Sequence, residues 1–174
     1  KLQGVRNTLA EVDPDFFSVT FGAGGSTRDR TVQTVLDLHK RGVSTAPHLS
    51  CVGDTKAQLA QLLNQYQDAG INRIVTLRGD LPSGMGASLG ELKYASDLVA
   101  FIREQSGDHF HLEVAAYPEM HPQAKSFLFD IDNLVNKYKA GADTAITQFF
   151  YNADSYLHLR DALEQRGIDT VAQP

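Results

Sequence analysis

Five glycines divide the chain at intervals typical of alternating helices and strands. Each follows a segment with helical periodicity and precedes a strand-like segment. Glycine suits the end of a helix because it adopts the left-handed conformation without a steric penalty. The sequence therefore predicts a repeated order of helix, glycine, strand and loop. The intervals are 28, 37, 34 and 26 residues, between Gly42, Gly70, Gly107, Gly141 and Gly167.

Apolar residues recur at helical spacing before these glycines and in strand-like runs after them. One helical stripe covers residues 59–66, and Thr55 with Gln58 forms the sequence pattern of a capping box in front of it. Strands that alternate with helices in this way form right-handed βαβ units in a parallel sheet. The predicted strands are 16–21, 44–49, 73–79, 112–117, 144–149 and a last one from about residue 170.

Two parallel-sheet folds fit this alternation, the open doubly wound sheet and the closed (β/α)8 barrel. No Gly-x-Gly-x-x-Gly pattern follows the first strand, and nearly every predicted strand ends in a polar or ionisable residue. This distribution favours the barrel, whose active site draws residues from many strand ends. We therefore predict one α/β catalytic domain over residues 1–174, an incomplete TIM barrel with about six of eight strands. Roughly two of the eight strands are expected to lie outside this chain.

The composition limits the class of partner. The chain is 42% hydrophobic and 21% charged, and its net charge of -5 includes no basic run. We therefore expect a small-molecule partner and no nucleic acid. The single cysteine, Cys51, cannot form an intramolecular disulfide, and no apolar run is long enough to cross a membrane. These features favour a cytoplasmic protein, and we expect a homo-oligomer.

Polar side chains at the ends of the predicted strands define a candidate site. Parallel strands bring their carboxyl ends to one edge of the sheet. Arg78 and Asp80 flank Gly79 there, and because a surface salt bridge between them would contribute at most about 1 kcal/mol, a ligand pocket explains the charges better. The candidates are Thr20, His48, Arg78, Asp80, Tyr117, Glu119, His121 and Gln148.

Several of these residues also have ordinary structural explanations. His48 fits a buried core histidine about as well as a catalytic one. The helix bearing Asp130, Asn133 and Lys137 has a polar face that suits either solvent or a ligand. Glu119 and His121 are two residues apart, but no His-x-x-x-His pattern or carboxylate-rich set accompanies them. We therefore predict no metal site.

Six blocks of sequence, in order along nearly the whole chain, resemble the catalytic domain of the methylenetetrahydrofolate reductase family in its bacterial form. No single block would suffice, and the collinear order makes the resemblance specific. The blocks are Ser18-Val-Thr-Phe-Gly-Ala, Ala46-Pro-His-Leu, Leu77-Arg-Gly-Asp-Leu-Pro, Tyr94-Ala-Ser-Asp-Leu, Val114-Ala-Ala-Tyr-Pro-Glu-Met-His-Pro and Ala145-Ile-Thr-Gln-Phe-Phe.

The resemblance implies a TIM barrel that binds FAD at its C-terminal face. In that family NADH or NADPH passes a hydride to FAD and leaves, and the flavin then reduces 5,10-methylenetetrahydrofolate to 5-methyltetrahydrofolate. By the same resemblance, Asp80 and Gln148 would act in catalysis and bind the folate. The implied cofactor-binding residues are Thr20, His48, Arg78, Gly79, Asp80, Tyr94, Ala95, Tyr117, His121, Asp130, Asn133 and Lys137.

The chain also departs from the family pattern. The family's first strand, of the type Phe-Glu-Phe-Phe-Pro-Pro, carries a Glu that is thought to protonate the folate. Neither this strand nor the family's last strands are found here, so this segment alone is not expected to be active. Asn136 stands where a basic residue is frequent in the family. The alternatives are another FAD-dependent barrel resembling proline dehydrogenase, a non-catalytic barrel that binds folate or flavin, and a metal-dependent barrel hydrolase.

Overall fold

The computed structural model describes residues 4–5, 8–9, 11–20, 25–79, 90–169 and 172–173. Strands alternate with helices through these ranges, as the spacing of the glycines predicts. The elements in chain order are β1 (Phe17–Val19), α1 (Gly25–Lys40), β2 (Thr45–Ser50), α2 (Lys56–Asp68), β3 (Arg73–Leu77), α3 (Ala95–Ser106), β4 (His111–Ala116), α4 (Phe127–Lys139), β5 (Thr144–Thr147), α5 (Ala153–Glu164) and β6 (Ala172–Gln173).

The sheet has its strands in the same order as the chain. Its six described strands run from β1 to β6, and every neighbouring pair is parallel. Right-handed crossovers that always advance to the next strand place all helices on one face, whereas a doubly wound sheet reverses its strand order. The fold is therefore an α/β half-barrel, which confirms the predicted parallel α/β fold and is consistent with part of a TIM barrel.

The core lies between the sheet and its helices. Ile74, Leu112 and Val114 point to the helical face because side chains alternate along a strand, and all three are fully buried in one cluster with Leu59 and Leu63 of α2. The predicted capping box opens α2. No helix in the described ranges combines the length and the apolar character that a membrane crossing requires.

The strand boundaries differ from the predicted ones by one to a few residues, and two of the differences affect the site. β2 continues to Ser50, one residue beyond its predicted end, because Ser50 still pairs with Leu77. β3 ends at Leu77 rather than at Gly79, since Gly79 adopts a φ of +86° and turns the chain out of the sheet. The turn thus presents Arg78 and Gly79 at the carboxyl edge rather than within the sheet.

A buried carboxylate lies on the sheet face opposite the helices, near the amino ends of the strands. Glu113 of β4 is 1% exposed and forms an ion pair with Arg73 of β3. It also accepts a hydrogen bond from the Thr144 hydroxyl of β5, and its Oε1 lies 3.5 Å from His111 Nε2. The Phe16 ring covers the Arg73 guanidinium at 4.6 Å. These contacts join three neighbouring strands through one side chain.

Candidate functional site

A pocket of about 730 Å³ opens at the carboxyl ends of β3 and β4, beside α3 and α4. This volume falls within the range of small-molecule and cofactor sites, roughly 300 to 1,000 Å³. The position is the one that a parallel sheet assigns to ligands. The lining residues are Thr76, Leu77, Arg78, Gly79, Tyr94, Ala95, Ser96, Ala115, Tyr117, His121, Gln123, Ala124, Lys125, Phe129, Asp130, Asn133, Asn136 and Lys137.

Nine of the predicted cofactor-binding residues lie around this one pocket. They come from both strand ends, from the start of α3 and from the polar face of α4, which faces the pocket rather than solvent alone. Their roles as cofactor contacts stay predictions. The nine are Arg78, Gly79, Tyr94, Ala95, Tyr117, His121, Asp130, Asn133 and Lys137.

Four predicted residues within the described ranges lie outside the lining. Glu119 follows β4, and its Oε1 accepts hydrogen bonds from the Tyr151 and Asn152 backbone amides at 3.0 and 3.3 Å. Thr20 directly follows β1 and His48 belongs to β2, on the far side of β3 from the pocket. Gln148 follows β5, and its Oε1 accepts a hydrogen bond from the Phe149 amide at 3.0 Å, so the side chain turns back on its own backbone. Burial lowers the pKa of His48, so the neutral imidazole predominates at pH 7. Asp80 lies outside the described residues.

Hydrogen bonds from residues at the end of β2 stabilise the turn after β3. The Ser50 hydroxyl donates to the Arg78 carbonyl at 2.8 Å, and the Val52 amide donates to the same oxygen at 3.2 Å. The Cys51 thiol adds a weak contact at 3.4 Å, and burial raises its pKa to about 11, which keeps it protonated at neutral pH. A Cβ on Gly79 would lie 1.9 Å from Ser50 Oγ. The turn therefore admits only glycine without rearrangement.

The Arg78 side chain extends into the pocket against the loop that follows β4. Its Nη2 donates to Gln123 Oε1 at 2.8 Å. The Gln123 backbone N–H in turn donates to His121 Nδ1 at 3.0 Å. Because Nδ1 accepts this bond, a neutral His121 carries its proton on Nε2. Arg78 and His121 are thus both hydrogen-bond donors beside the pocket.

The loop that carries His121 contains a strained residue. Met120 adopts a φ of +71°, which is uncommon for a side chain with a Cβ and is often found at functional sites. The His121 amide donates to Asp130 Oδ2 at 2.8 Å, and the His121 ring meets the Tyr117 ring edge to face at 4.5 Å. These contacts fix the orientation of the imidazole before any ligand binds.

Lys137 provides another cation at the pocket, in addition to Arg78 and Lys125. Its Nζ donates to the Ala115 carbonyl of β4 at 2.7 Å. Burial lowers its pKa from 10.5 to about 8, while the nearby Asp130 carboxylate opposes this shift. The amino end of α3 also reaches the pocket at Ala95 and contributes the partial positive charge of a helix dipole. The pocket is thus suited to an anionic group.

Ser50 and Gln123 are absent from the sequence-based candidates. The predicted second strand stopped at Leu49, so the reading of strand ends did not reach Ser50. Gln123 follows the His121-Pro122 pair, and only its place in the loop after a predicted strand could have indicated it. Both act on Arg78 across separations of 28 and 45 residues, which no local pattern encodes.

We expect Thr76→Val to stabilise the protein by about 1 kcal/mol. Thr76 lines the pocket but is fully buried, and its hydroxyl has no hydrogen-bond partner among the described residues. A buried hydroxyl without a partner costs about 1 to 3 kcal/mol, and valine removes it at nearly the same shape. Urea unfolding of the two proteins measures the change. A less stable variant would show that this hydroxyl has a partner.

The consecutive parallel strands and the cation-bearing pocket at their carboxyl ends define an α/β half-barrel protein with a candidate ligand site, consistent with part of a TIM barrel. The profile of the methylenetetrahydrofolate reductase family matches residues 2–174. The 5,10-methylenetetrahydrofolate reductases of Salmonella typhimurium and Escherichia coli are 45% and 46% identical to the chain over 167 residues. The chain therefore belongs to the methylenetetrahydrofolate reductase family.

These matches cover most of this chain but only part of each relative. Each alignment covers 95% of this chain but 55% of the relative, so the chain spans about half the length of the curated relatives it matches. Among solved structures, an oxaloacetate acetylhydrolase superposes with a TM-score of 0.63 at 12% identity, covering 90% of this chain and 58% of that one. At this identity the similarity concerns the fold alone.

Proposed function

We propose that the full-length protein is a flavin-dependent 5,10-methylenetetrahydrofolate reductase that takes electrons from NADH or NADPH. In this proposal the half-barrel is part of a closed (β/α)8 barrel in a cytoplasmic homo-oligomer, and the pocket holds FAD. Family membership supports the reaction. The observation that carries the cofactor assignment is the convergence of nine predicted FAD contacts on one pocket of about 730 Å³.

The residues around the pocket fit FAD by their chemistry. FAD carries two negative charges on its diphosphate, and the pocket offers three cations, Arg78, Lys125 and Lys137, together with the amino end of α3. The Asn133 and Asn136 amides can hydrogen-bond ribose or base atoms, and the Tyr117 ring provides an aromatic edge. The flavin, when bound, supplies the redox chemistry by accepting and donating a hydride.

The protein groups would bind and orient the cofactor. His121 donates from Nε2 when neutral, and its position is already fixed by Asp130 and Tyr117. Arg78 donates one N–H to Gln123, and its other N–H groups can bind an anion. Pre-set donors of this kind reduce the entropy lost on binding. We assign the folate contacts to Asp80, which follows Gly79 directly, and to Gln148, whose carboxamide is exposed at the end of β5.

The flavin spectrum of the purified full-length protein tests the proposed function. We expect flavin absorbance that bleaches with NADH or NADPH under anaerobic conditions and returns when 5,10-methylenetetrahydrofolate is added. A colourless protein that added FAD does not turn yellow would exclude the proposal. Bleaching by proline instead of a nicotinamide cofactor would identify the alternative FAD-dependent barrel, and FAD binding without turnover would identify a non-catalytic barrel.

We expect FAD affinity to fall about fivefold between pH 7 and pH 9. Lys137, with a pKa of about 8, is mostly protonated at pH 7 and mostly neutral at pH 9, so its attraction for the diphosphate is lost across this range. Fluorescence titration of FAD at both pH values gives the ratio. Lys137→Gln should bind FAD more weakly and with little pH dependence.

Lys139→Gln is the matched control for this pH dependence. Lys139 lies on the same helix but is exposed and outside the pocket lining. It should keep the wild-type change between pH 7 and pH 9. An unchanged pH dependence in Lys137→Gln would show that another group is responsible.

A further inference from the structure

We propose that Ser50 is a positioning residue for the cofactor pocket. Its hydroxyl fixes the backbone conformation at Arg78 and Gly79. Through that backbone it determines the direction in which the Arg78 guanidinium points. Ser50 itself is not among the residues that line the pocket. This inference rests on the proposed binding of FAD and adds a residue that acts on the pocket from the neighbouring strand.

The first step concerns the hydrogen bonds to the Arg78 carbonyl. Three groups from the end of β2 approach this oxygen, and the Ser50 hydroxyl makes the shortest contact at 2.8 Å, against 3.2 Å for the Val52 amide and 3.4 Å for the Cys51 thiol. The Val52 amide also lies 3.3 Å from Ser50 Oγ. Ser50 is therefore the centre of this small network, as a donor to Arg78 and an acceptor from Val52.

The second step is the contact between Ser50 and Gly79. Ser50 Oγ lies 1.9 Å from the position that a Cβ on Gly79 would take, so the hydroxyl fills the space beside the glycine. Glycine has the widest range of backbone conformations of any residue. The φ of +86° at Gly79 consequently depends on its neighbours, and Ser50 is the nearest side chain to that position.

The third step is the dependence of the Arg78 side chain on this backbone. Beyond Gln123, the described side chains give the guanidinium no strong partner, and its Nε approaches the Gly79 carbonyl only at 3.4 Å. A rotation of the peptide between Arg78 and Gly79 would therefore move the guanidinium relative to Lys137 across the pocket. The hydroxyl of Ser50 opposes that rotation.

The test compares FAD dissociation constants of the full-length protein and three variants by fluorescence titration. Ser50→Ala should weaken FAD binding about five- to tenfold, the loss typical of one hydrogen bond. Ser50→Thr, which keeps the hydroxyl, should stay within about twofold of wild type. Thr34→Ala, the control, removes a hydroxyl that also donates to a carbonyl at 2.8 Å but lies on α1 outside the pocket, and should have no effect.

Hydrogen–deuterium exchange without FAD separates this inference from the proposed function. Ser50→Ala should speed amide exchange at Val52 and change the exchange rate of the Gly79 amide. The amides of β4 and β5 should stay protected. A wild-type protein that binds no FAD would exclude the proposed function and leave exchange as the test of Ser50. Unchanged exchange in Ser50→Ala, or FAD binding by Ser50→Thr as weak as by Ser50→Ala, would overturn the positioning role.

Discussion

Gly79→Ala is expected to destabilise the protein by about 2 to 5 kcal/mol and to disrupt the pocket. The positive φ at Gly79 costs roughly 1 to 2 kcal/mol for a residue with a Cβ. The added methyl group would also lie 1.9 Å from Ser50 Oγ and 3.1 Å from Ser50 Cβ, and such overpacking costs about 1 to 3 kcal/mol more. Urea unfolding monitored by circular dichroism gives the change in the free energy of unfolding.

Gly42→Ala separates the two parts of this effect. Gly42 has a similar φ of +77°, but an added Cβ there meets no described atom within 4 Å, so only the backbone strain of about 1 to 2 kcal/mol should appear. Combining Gly79→Ala with Ser50→Ala should recover part of the loss, because the nearest clashing atom is removed. Equal losses for Gly79→Ala and Gly42→Ala would show that the chain relieves the clash by moving.

Glu113→Ala is expected to destabilise the protein by about 3 kcal/mol. The substitution leaves Arg73, which is 29% exposed, without its carboxylate, and it removes the acceptor for Thr144 and the neighbour of His111. Breaking a buried ion pair by removing one partner costs about 3 to 5 kcal/mol, and the partial exposure of Arg73 places this case near the lower limit. Thermal and urea unfolding both measure the loss.

Asp132→Ala tests whether burial is the reason for that loss. Asp132 pairs with Arg166 at 2.9 Å, but its side chain is 62% exposed, so its removal should cost at most about 1 kcal/mol. Glu113 does not line the pocket, and the folded fraction of Glu113→Ala should bind FAD as wild type does. Similar destabilisation by Glu113→Ala and Asp132→Ala would contradict the assignment of the loss to burial.

The order and type of the elements could be predicted because they depend on local rules. Apolar spacing marked the helices, and glycines marked their ends: the five glycines of the repeat all adopt positive φ in the structure. The capping pair Thr55 and Gln58 formed as its spacing indicates. Strand ends were less predictable, since the limits of β2 and β3 depend on pairing between Ser50 and Leu77 and on the turn at Gly79.

The site could be predicted only in part from the residues alone. The strand ends indicated Arg78, Tyr117 and His121, but the polar face of α4 fitted solvent as well as a ligand until the fold placed Lys137 beside the Ala115 carbonyl. The resemblance to the family had assigned that face to FAD. The Gln123 contact with Arg78 joins residues 45 apart and depends on the neighbouring positions of β3 and β4.

The amino ends of β3 and β4 form the buried ion pair, and their carboxyl ends lead into the pocket. This separation has an evolutionary consequence. β3 begins with Arg73, which joins the Glu113 network, and leads into Arg78 at the pocket, while β4 carries Glu113 and leads into Tyr117. Five residue steps along the chain separate the two arginines by roughly 16 Å. Substitutions that alter ligand preference can therefore accumulate at one end while the ion pair at the other preserves the fold. Such separation makes a scaffold open to new chemistry.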